Sequence, residues 1–204
     1  MIEIMRDQHT NNIVNESFYQ NNCVPRTIWI TGLSASGKST LGKCLKDELA
    51  NLGISNVDLL DGENVRNRLS RKYGFSTDER NSLAGVIAKL AIESNRKGNV
   101  AIVCAISHVK KTREEIRQKL GSDFLEVYLK CSVDMCAARD YKGHYNKAFA
   151  GEYSNFVGVT EPYQVSDHPD LIIDTATDPV DRCVEILLNR SLQFLLKDKV
   201  EYIE

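Results

Sequence analysis

The amino-acid sequence has little net charge, no long apolar run and no closely spaced pair of cysteines. A net charge of −2 argues against a large nucleic-acid-binding surface. No run approaches the roughly 18 apolar residues that a membrane-spanning helix needs, and the polar N-terminal residues do not form the apolar core of a signal peptide. We therefore expect a soluble, cytoplasmic protein that interacts with neither nucleic acid nor a membrane.

The cysteines are scattered along the chain and include no Cys-x-x-Cys pair. This spacing argues against a zinc site and favours free, buried thiols in a reducing cytosol. The six residues are Cys23, Cys44, Cys104, Cys131, Cys136 and Cys183.

Internal repeats and low-complexity tracts are absent as well, so the 204 residues correspond to one domain with a short extension. The hydrophobic fraction of 42% is enough for a two-sided core and excludes wholesale disorder. Residues 1–24 are polar and rich in asparagine, which predicts a poorly ordered N-terminal extension with at most one short helix. The domain itself is expected to cover residues 25–204.

What the sequence does contain is a complete G-x-x-x-x-G-K-S phosphate-loop motif, from Gly32 to Ser39. An apolar, β-favouring segment precedes the motif, and a helical pattern of leucines follows it. The motif thus lies between a buried strand and a helix, where triphosphate binding requires it. The predicted ATP-binding loop consists of Gly32, Leu33, Ser34, Ala35, Ser36, Gly37, Lys38, Ser39 and Thr40.

Each residue type in this loop suits a triphosphate. Gly32 and Gly37 can adopt backbone angles closed to other residues, so that consecutive N–H groups turn toward an anion. The helix that begins near Lys38 adds free N–H donors and the positive end of its dipole. The Lys38 ammonium suits the β- and γ-phosphates, and the Ser39 hydroxyl is placed to bind Mg²⁺.

Strands alternate with helices along the chain, which predicts a doubly wound α/β fold with a five-stranded parallel sheet of the P-loop nucleotide kinase type. The predicted strands cover residues 27–31, 57–60, 100–106, 124–129 and 171–173. The predicted helices cover residues 38–51, 64–72, about 76–98, 111–119, 132–139 and 179–196.

The segment from Tyr141 to Gln164 has only weak periodicity. A connection of this length inside a compact domain indicates a functional lid. Just before it, Arg139 could stack on a nucleobase, and within it Lys142 could reach a bound anion. The alternative for both residues is a charged, solvated hinge.

Asp61 ends the second predicted strand, and ligands of such sheets bind beyond the carboxyl ends of the strands. Its carboxylate could hold Mg²⁺ or accept the proton of an acceptor hydroxyl. The alternative is a helix N-cap. We favour the catalytic interpretation because Asp61 lies at the same end of its strand as the phosphate loop. Glu63 is a second candidate, or a solvated acid in the first turn of a helix.

Four further candidates each have an ordinary structural alternative. Arg66 and Arg80 could bind phosphate or sulfate oxygens, or form surface ion pairs. Phe75 could be a stacking platform or fill the core. Ser107 follows the third predicted strand and could bond a substrate or cap the next helix.

The chain resembles the adenylylsulfate kinase family over about residues 25–192. Residues 60–66, Leu-Asp-Gly-Glu-Asn-Val-Arg, are similar to the family's Leu-Asp-Gly-Asp-Asn-Ile/Val-Arg, and the phosphate loop is very similar. Gly74-Phe75-Ser76 with Arg80, and Ile106-Ser107, match further family blocks. The lid follows the family almost in register through Arg139-Asp140, Lys142-Gly143, Ala150-Gly151-Glu152, Asn155-Phe156, Gly158 and Pro162-Tyr163. Many kinases share the phosphate loop, whereas the lid and the Asp61 block are more specific.

The resemblance implies an ATP- and Mg²⁺-dependent kinase that phosphorylates the 3′-hydroxyl of adenosine 5′-phosphosulfate in sulfate assimilation. Lys38, Asp61 and Ser107 would act in catalysis, Ser39 and Asp61 would hold Mg²⁺, and Arg139 would contact ATP. Ser107 aligns with a serine sometimes designated a phosphoserine intermediate, although direct in-line transfer is simpler because no base partner is evident. The resemblance also implies a homodimer. The small-molecule nucleotide acceptor would lie among Arg66, Phe75, Arg80, Ile106, Lys142 and Phe156, with Phe156 covering the adenine.

The chain departs from the family on the acceptor side. In place of the family's Glu-Asn-Ile-Arg-Arg, residues 82–86 read Ser-Leu-Ala-Gly-Val, and His108 stands where the family has a proline. The loss of one charge-assisted contact costs about 1.5–3 kcal/mol, or roughly tenfold to a hundredfold in affinity. An alternative is therefore a related kinase that acts on another nucleotide-linked acceptor, such as cytidine diphosphoramidate.

An alternative of another class is a nucleotide-binding module without catalysis. The intact Lys38, Ser39 and Asp61 argue against this alternative, because mere binding of ATP does not need all three.

Overall fold

Five parallel strands form the centre of the computed structural model, which describes residues 18–196. The strands are β1 (Thr27–Gly32), β2 (Val57–Asp61), β3 (Val100–Cys104), β4 (Phe124–Lys130) and β5 (Leu171–Asp174). They lie in the order β2-β3-β1-β4-β5. The strand that leads into the phosphate loop is therefore the central one, and the predicted five-stranded parallel sheet is confirmed.

Helices cover both faces of this sheet. They are α1 (Lys38–Asn51), α2 (Gly62–Arg68), α3 (Thr77–Arg96), α4 (Lys110–Leu120), α5 (Val133–Arg139), α6 (His144–Phe149) and α7 (Val180–Leu195). A 3-10 turn covers Gly121–Asp123. None of these helices is long and apolar enough to cross a membrane, as judged over the described part of the chain.

The alternation of side chains along β1 shows how the two faces are filled. Ile28 and Ile30 pack with the leucines of α1 and α7 on one face. Trp29 points to the other face, where it packs with α3 and with Ile116 of α4. The side chains of Ile28, Trp29 and Ile30 are fully buried, as expected of a strand covered on both sides.

Most of the predicted extension, residues 1–17, lies outside the described residues. Residues 18–22 are helical, and the Val24 N–H donates to the carbonyl oxygen of Leu195 at 2.7 Å. This bond joins the end of the extension to α7.

Three elements differ from the predicted ones. Helix α2 covers Gly62–Arg68 rather than 64–72, because the Asp61 carboxylate caps the N–H groups of Glu63 and Asn64 and Leu69 is already extended. Strand β3 ends at Cys104 rather than at residue 106, and at Ser107 the backbone turns into the left-handed region. The lid contains a helix, α6, for which the sequence showed no clear periodicity.

Candidate active site

A cleft of about 1080 Å³ lies beyond the carboxyl ends of the strands. Of the predicted ATP-loop residues, Ser34 to Thr40 line it, whereas Gly32 and Leu33 lie beneath it. The other predicted site residues that line the cleft are Asp61, Arg66, Phe75, Arg80, Ile106, Ser107, Arg139, Lys142 and Phe156. The fold thus brings residues between Ser34 and Phe156 in the sequence into one cavity.

The phosphate loop uses glycine where its backbone requires it. Gly32 has φ 148°, and a Cβ atom there would lie 2.8 Å from the carbonyl oxygen of Leu129, so only glycine fits. Gly37 has φ 98° and directly precedes α1, whose first N–H groups receive no side-chain cap. Ala35, at φ 57°, also adopts a left-handed conformation, which was not predicted. Such backbone strain is typical of ligand-binding loops.

Two buried side chains that sequence reasoning missed hold this loop from below. The Tyr145 hydroxyl donates to the carbonyl oxygen of Ser34 at 3.1 Å, and Thr175 Oγ1 donates to that of Ser36 at 3.0 Å. Because these partners lie 111 and 139 positions apart in the chain, no local pattern could reveal them. With these carbonyls held, the loop keeps a fixed shape for an anion.

The Lys38 ammonium is nearly buried at the base of the cleft. Its Nζ donates to the carbonyl oxygen of Leu33 at 2.5 Å. Burial lowers the pKa of Lys38 to about 8, because the charged form loses hydration that the loop only partly replaces. A bound phosphate would supply the missing counter-charge.

Ser39 and Asp61 meet at the centre of the cleft. Ser39 Oγ donates to Asp61 Oδ2 at 2.5 Å, while Asp61 Oδ1 accepts from the N–H groups of Glu63 and Asn64 at 3.0 and 3.2 Å. The two interpretations of Asp61 are therefore compatible, since one carboxylate oxygen caps α2 and the other faces the phosphate loop. The two side-chain oxygens are of the hard type that Mg²⁺ prefers. Within residues 18–196, no cluster of three or more His, Cys, Asp or Glu side chains could hold a metal alone.

Phe75 and two arginines form one side of the cleft. The guanidinium carbons of Arg66 and Arg80 lie 4.3 and 5.3 Å from the centre of the Phe75 ring, and the ring is 58% exposed. Phe75 therefore does not fill the core. Arg80 also donates from Nε to the Phe75 carbonyl at 2.8 Å and from Nη2 to the Asn155 carbonyl at 3.1 Å.

The same two arginines make no ion pair among the described residues. Burial lowers the pKa of both guanidinium groups, and burial together with the charge of Arg66 brings the pKa of Arg80 to about 10. Half-buried cations without a carboxylate partner among residues 18–196 make this side of the cleft suitable for an acidic ligand.

Aromatic residues of the lid pack on one another, and one lid residue, Lys142, contacts α2. Phe156 packs against Tyr145 edge-on, with 4.8 Å between ring centres, and is stacked on Tyr153 at 5.9 Å. Lys142 Nζ donates to both carboxylate oxygens of Glu63, at 2.7 and 2.8 Å, and this contact raises the pKa of Lys142. Glu63 is an exposed acid in the first turn of α2, as one of its two predicted alternatives has it, but it is also paired with Lys142. It ties the lid to α2.

Ser107 has φ 41°, a left-handed conformation that serine rarely adopts. Its Oγ is buried and has no hydrogen-bond partner among residues 18–196. The alternative of a helix cap is wrong, because α4 follows Val109 and no side chain caps it. The hydroxyl is therefore available to a ligand.

Arg139 lies at the other end of the cleft. Its Nη2 donates to the carbonyl oxygen of Thr175 at 2.8 Å, and it shares the cleft wall with Asp178, Pro179 and Val180. Arg139 is exposed, and this hydrogen bond orients its guanidinium at the wall of the cleft.

The stretch that departs from the family also lies at the cleft. Leu83 and Ala84 are buried and line the cavity together with Ile87 of the same helix. Helix α3 therefore presents an apolar wall beside the two arginines.

Comparison with known proteins gives matches over most of the chain. The sequence pattern of the family described as "Adenylylsulphate kinase" matches residues 24–174. The chain is similar to the adenylyl-sulfate kinase of Oceanobacillus iheyensis, with 40% identity over 187 residues that cover 90% of this chain and 89% of that protein. It is 42% identical to the adenylyl-sulfate kinase of Clostridium kluyveri over 171 residues, or 82% of each chain.

A solved structure is similar as well. The APS kinase CysC of Mycobacterium tuberculosis, solved in complex with AMPPNP and APS, superimposes with a TM-score of 0.75 at 34% identity. The match covers 82% of this chain and 98% of that one.

Proposed function

Since this chain belongs to the adenylyl-sulfate kinase family, we propose that it transfers the γ-phosphoryl group of ATP to the 3′-hydroxyl of adenosine 5′-phosphosulfate, a step of sulfate assimilation. One observation carries the proposal. A single cleft joins a phosphate loop to two unpaired arginines on an aromatic ring, with a lid above both. The solved relative with AMPPNP and APS supports a cleft that takes both substrates.

On the donor side, ATP would lie along the phosphate loop, with Arg139 near the adenine of ATP. The N–H groups at the start of α1 and the Lys38 ammonium would bind the phosphates. The lysine would then leave the Leu33 carbonyl for a phosphate oxygen. This exchange replaces a neutral partner with a charged one, which favours the protonated form of Lys38.

The oxygens of Ser39 and Asp61 would hold Mg²⁺ next to the phosphates. The ion would neutralise charge on the phosphoryl group as it transfers. The two N–H groups that donate to Asp61 Oδ1 keep the carboxylate pointing at this position. Oδ2 can therefore also accept the proton of the acceptor hydroxyl.

Transfer would be direct and in line. Ser107 Oγ has no hydrogen-bond partner, and therefore no base bonded to it, among the described residues, so the hydroxyl is better suited to bonding the acceptor than to forming a phosphoserine. The lid would exclude water from the reaction, which protects ATP from hydrolysis.

The acceptor would lie between the arginine side and the lid. Arg66 and Arg80 would bind the anionic groups, Phe75 and Phe156 would flank the base, and Lys142 and Ile106 would complete the pocket.

A second candidate is a related kinase with another nucleotide-linked acceptor, such as cytidine diphosphoramidate. The observation that favours it is the apolar wall of Leu83, Ala84 and Ile87, because these residues lie in the cleft itself. Because positions 83, 84 and 87 carry no polar side chain, this part of the pocket offers fewer hydrogen bonds to a specific base.

A coupled assay of ADP release across acceptors separates these candidates. We expect Mg²⁺-dependent turnover with adenosine 5′-phosphosulfate and little with cytidine-linked compounds. The reverse ranking would replace the first candidate by the second. Binding of ATP without turnover of any acceptor would favour a non-catalytic module.

We also propose a homodimer in the cytoplasm. The family resemblance supports the dimer, and light scattering would test it against the chain mass of 23.0 kDa. The six cysteines are all free, which is consistent with a reducing compartment.

A further inference from the structure

Arg113 of α4 is a fully buried cation outside the cleft. Its guanidinium donates to three segments: from Nε to Glu126 Oε1 at 2.8 Å, from Nη1 to the Ser107 carbonyl, and from Nη2 to the Gln164 carbonyl and Ser166 Oγ. A buried ion pair contributes little net stability, because desolvation offsets the attraction. The effect of Arg113 is therefore to join the segments that it contacts, rather than to add stability.

The first segment is the acceptor side of the cleft. Ser107 is held in a left-handed conformation, and its carbonyl oxygen bonds to Arg113. On the other side of the same residue, Ser107 Oγ and the adjacent Ile106 line the cleft. The guanidinium therefore anchors the backbone of a residue that lines the acceptor side of the cleft.

The second segment is the end of the lid. Gln164 accepts from Arg113, and its own N–H donates to the His108 carbonyl at 2.9 Å. The ring of Tyr163 lies 5.2 Å from the guanidinium, and its hydroxyl contacts Thr31 Oγ1 at 2.8 Å. Thr31 directly precedes the first glycine of the phosphate loop. The end of the lid, the acceptor side of the cleft and strand β1, which leads into the phosphate loop, thus meet around the Arg113 guanidinium.

We propose that Arg113 is a positioning residue for phosphoryl transfer. It aligns the Ser107 side of the acceptor pocket and the end of the lid with the phosphate loop, and it touches neither substrate. In-line transfer depends steeply on such alignment. ATP binding does not depend on it, because the loop has its own supports in Tyr145 and Thr175. The kinetic part of this inference rests on the proposed function.

The matched variants are Arg113→Met and Arg117→Met. Arg117 lies on the same helix and shares the partner Glu126, but it contacts neither Ser107 nor Gln164. Arg113→Lys serves if the methionine variant does not fold, since lysine keeps the charge but cannot bond all three segments at once.

Amide hydrogen exchange tests the anchoring without any acceptor. We expect Arg113→Met to accelerate exchange in residues 106–109 and 163–167 by about tenfold, as the loss of one charged hydrogen bond implies. Exchange in β1 should stay unchanged, and Arg117→Met should affect neither segment. Uniform acceleration across the sheet, or no acceleration, would overturn the proposal.

Kinetics with adenosine 5′-phosphosulfate test the alignment. In Arg113→Met we expect kcat/KM for the acceptor to fall by about tenfold or more, with the KM for ATP within about twofold of wild type. Equal losses for both substrates would overturn the proposal. If the wild-type protein does not turn over this acceptor, the proposed function fails, and the exchange result alone decides the role of Arg113.

Discussion

The two oxygens of the Asp61 carboxylate have different partners. Oδ1 caps α2, and Oδ2 accepts a hydrogen bond from Ser39 in the cleft. A sequence pattern can predict either contact. It cannot show that one residue makes both, because the direction of each carboxylate oxygen depends on the folded structure. The cap gives the carboxylate a fixed direction, which is what a metal ligand or proton acceptor needs.

Replacing Asp61 with asparagine tests this arrangement. The amide can still cap α2 through its oxygen but cannot accept a proton or hold Mg²⁺ as a carboxylate does. We expect kcat to fall by about 10²–10⁴-fold, with ATP affinity changed by only a few-fold. Steady-state kinetics and calorimetric titration of ATP measure the two effects. An Asp61→Asn enzyme with near-normal kcat would assign the chemistry to another group.

Lys38 should make ATP binding depend on pH. Its pKa in the free protein is lowered to about 8, and the phosphates of bound ATP favour the charged form, so ATP binding requires proton uptake above that pH. As the pH rises from about 7 to about 9, we expect ATP affinity to fall about tenfold. Titration of ATP across this range measures the effect.

The control for this dependence is Lys38→Met, which should bind ATP weakly and with little change over the same range. An affinity for the wild-type protein that stays constant up to about pH 9 would mean that the lysine keeps its ordinary pKa.

At the scale of elements, helix α2 and the lid are joined by the ion pair between Glu63 and Lys142. The pair is partly exposed, at 65% and 36% for the two side chains, so it contributes at most about 1 kcal/mol. Its two residues are 79 positions apart, so no local pattern could predict it.

We expect Glu63→Gln to weaken lid closure without removing a catalytic group. The KM for the acceptor should rise by no more than about fivefold, and kcat should change little, in contrast to Asp61→Asn. Parallel steady-state assays of the two variants make the comparison. A hundredfold loss of kcat in Glu63→Gln would place Glu63 in the chemistry.

Helix α1 packs so closely on the sheet that one of its positions has no room for a side chain. A Cβ atom at Gly42 would lie 2.4 Å from Cys104 Sγ. Gly85 of α3 is the matched control, because a Cβ atom there meets nothing within 4 Å.

We expect Gly42→Ala to lower the free energy of unfolding by about 1–3 kcal/mol, although alanine is the better helix former. Gly85→Ala should raise it by about 0.5–1 kcal/mol. Denaturant unfolding of both variants measures the difference. Equal stabilisation in both would contradict the close packing of α1 on β3.

The elements themselves were largely predictable. Hydrophobic runs and helical periodicity are properties of neighbouring residues, so all five strands and the bounds of α1 follow from the sequence. The errors lie where tertiary contacts decide the local structure. The Asp61 cap moves the start of α2, and α6 forms because Tyr145 and Ala148 are buried against the loop region rather than through any strong pattern.

At the scale of the whole molecule, the order of the strands explains why the site lies where it does. With β1 central and all strands parallel, the phosphate loop, Asp61 and Ser107 emerge at the same edge of the sheet. The sequence predicts this convergence from the fold class alone. It does not predict the packing around Arg113 or the apolar wall of α3, because these depend on which helix faces pack together.

We propose that this cleft moves a phosphoryl group from ATP to the 3′-hydroxyl of adenosine 5′-phosphosulfate. Phosphorus NMR of a reaction with ATP, Mg²⁺ and this acceptor tests it most directly, because the position of the new phosphate is read from the product. We expect a 3′-phosphate on an intact phosphosulfate, formed together with ADP. A phosphate at another position, or free phosphate from ATP with the acceptor unchanged, would contradict it.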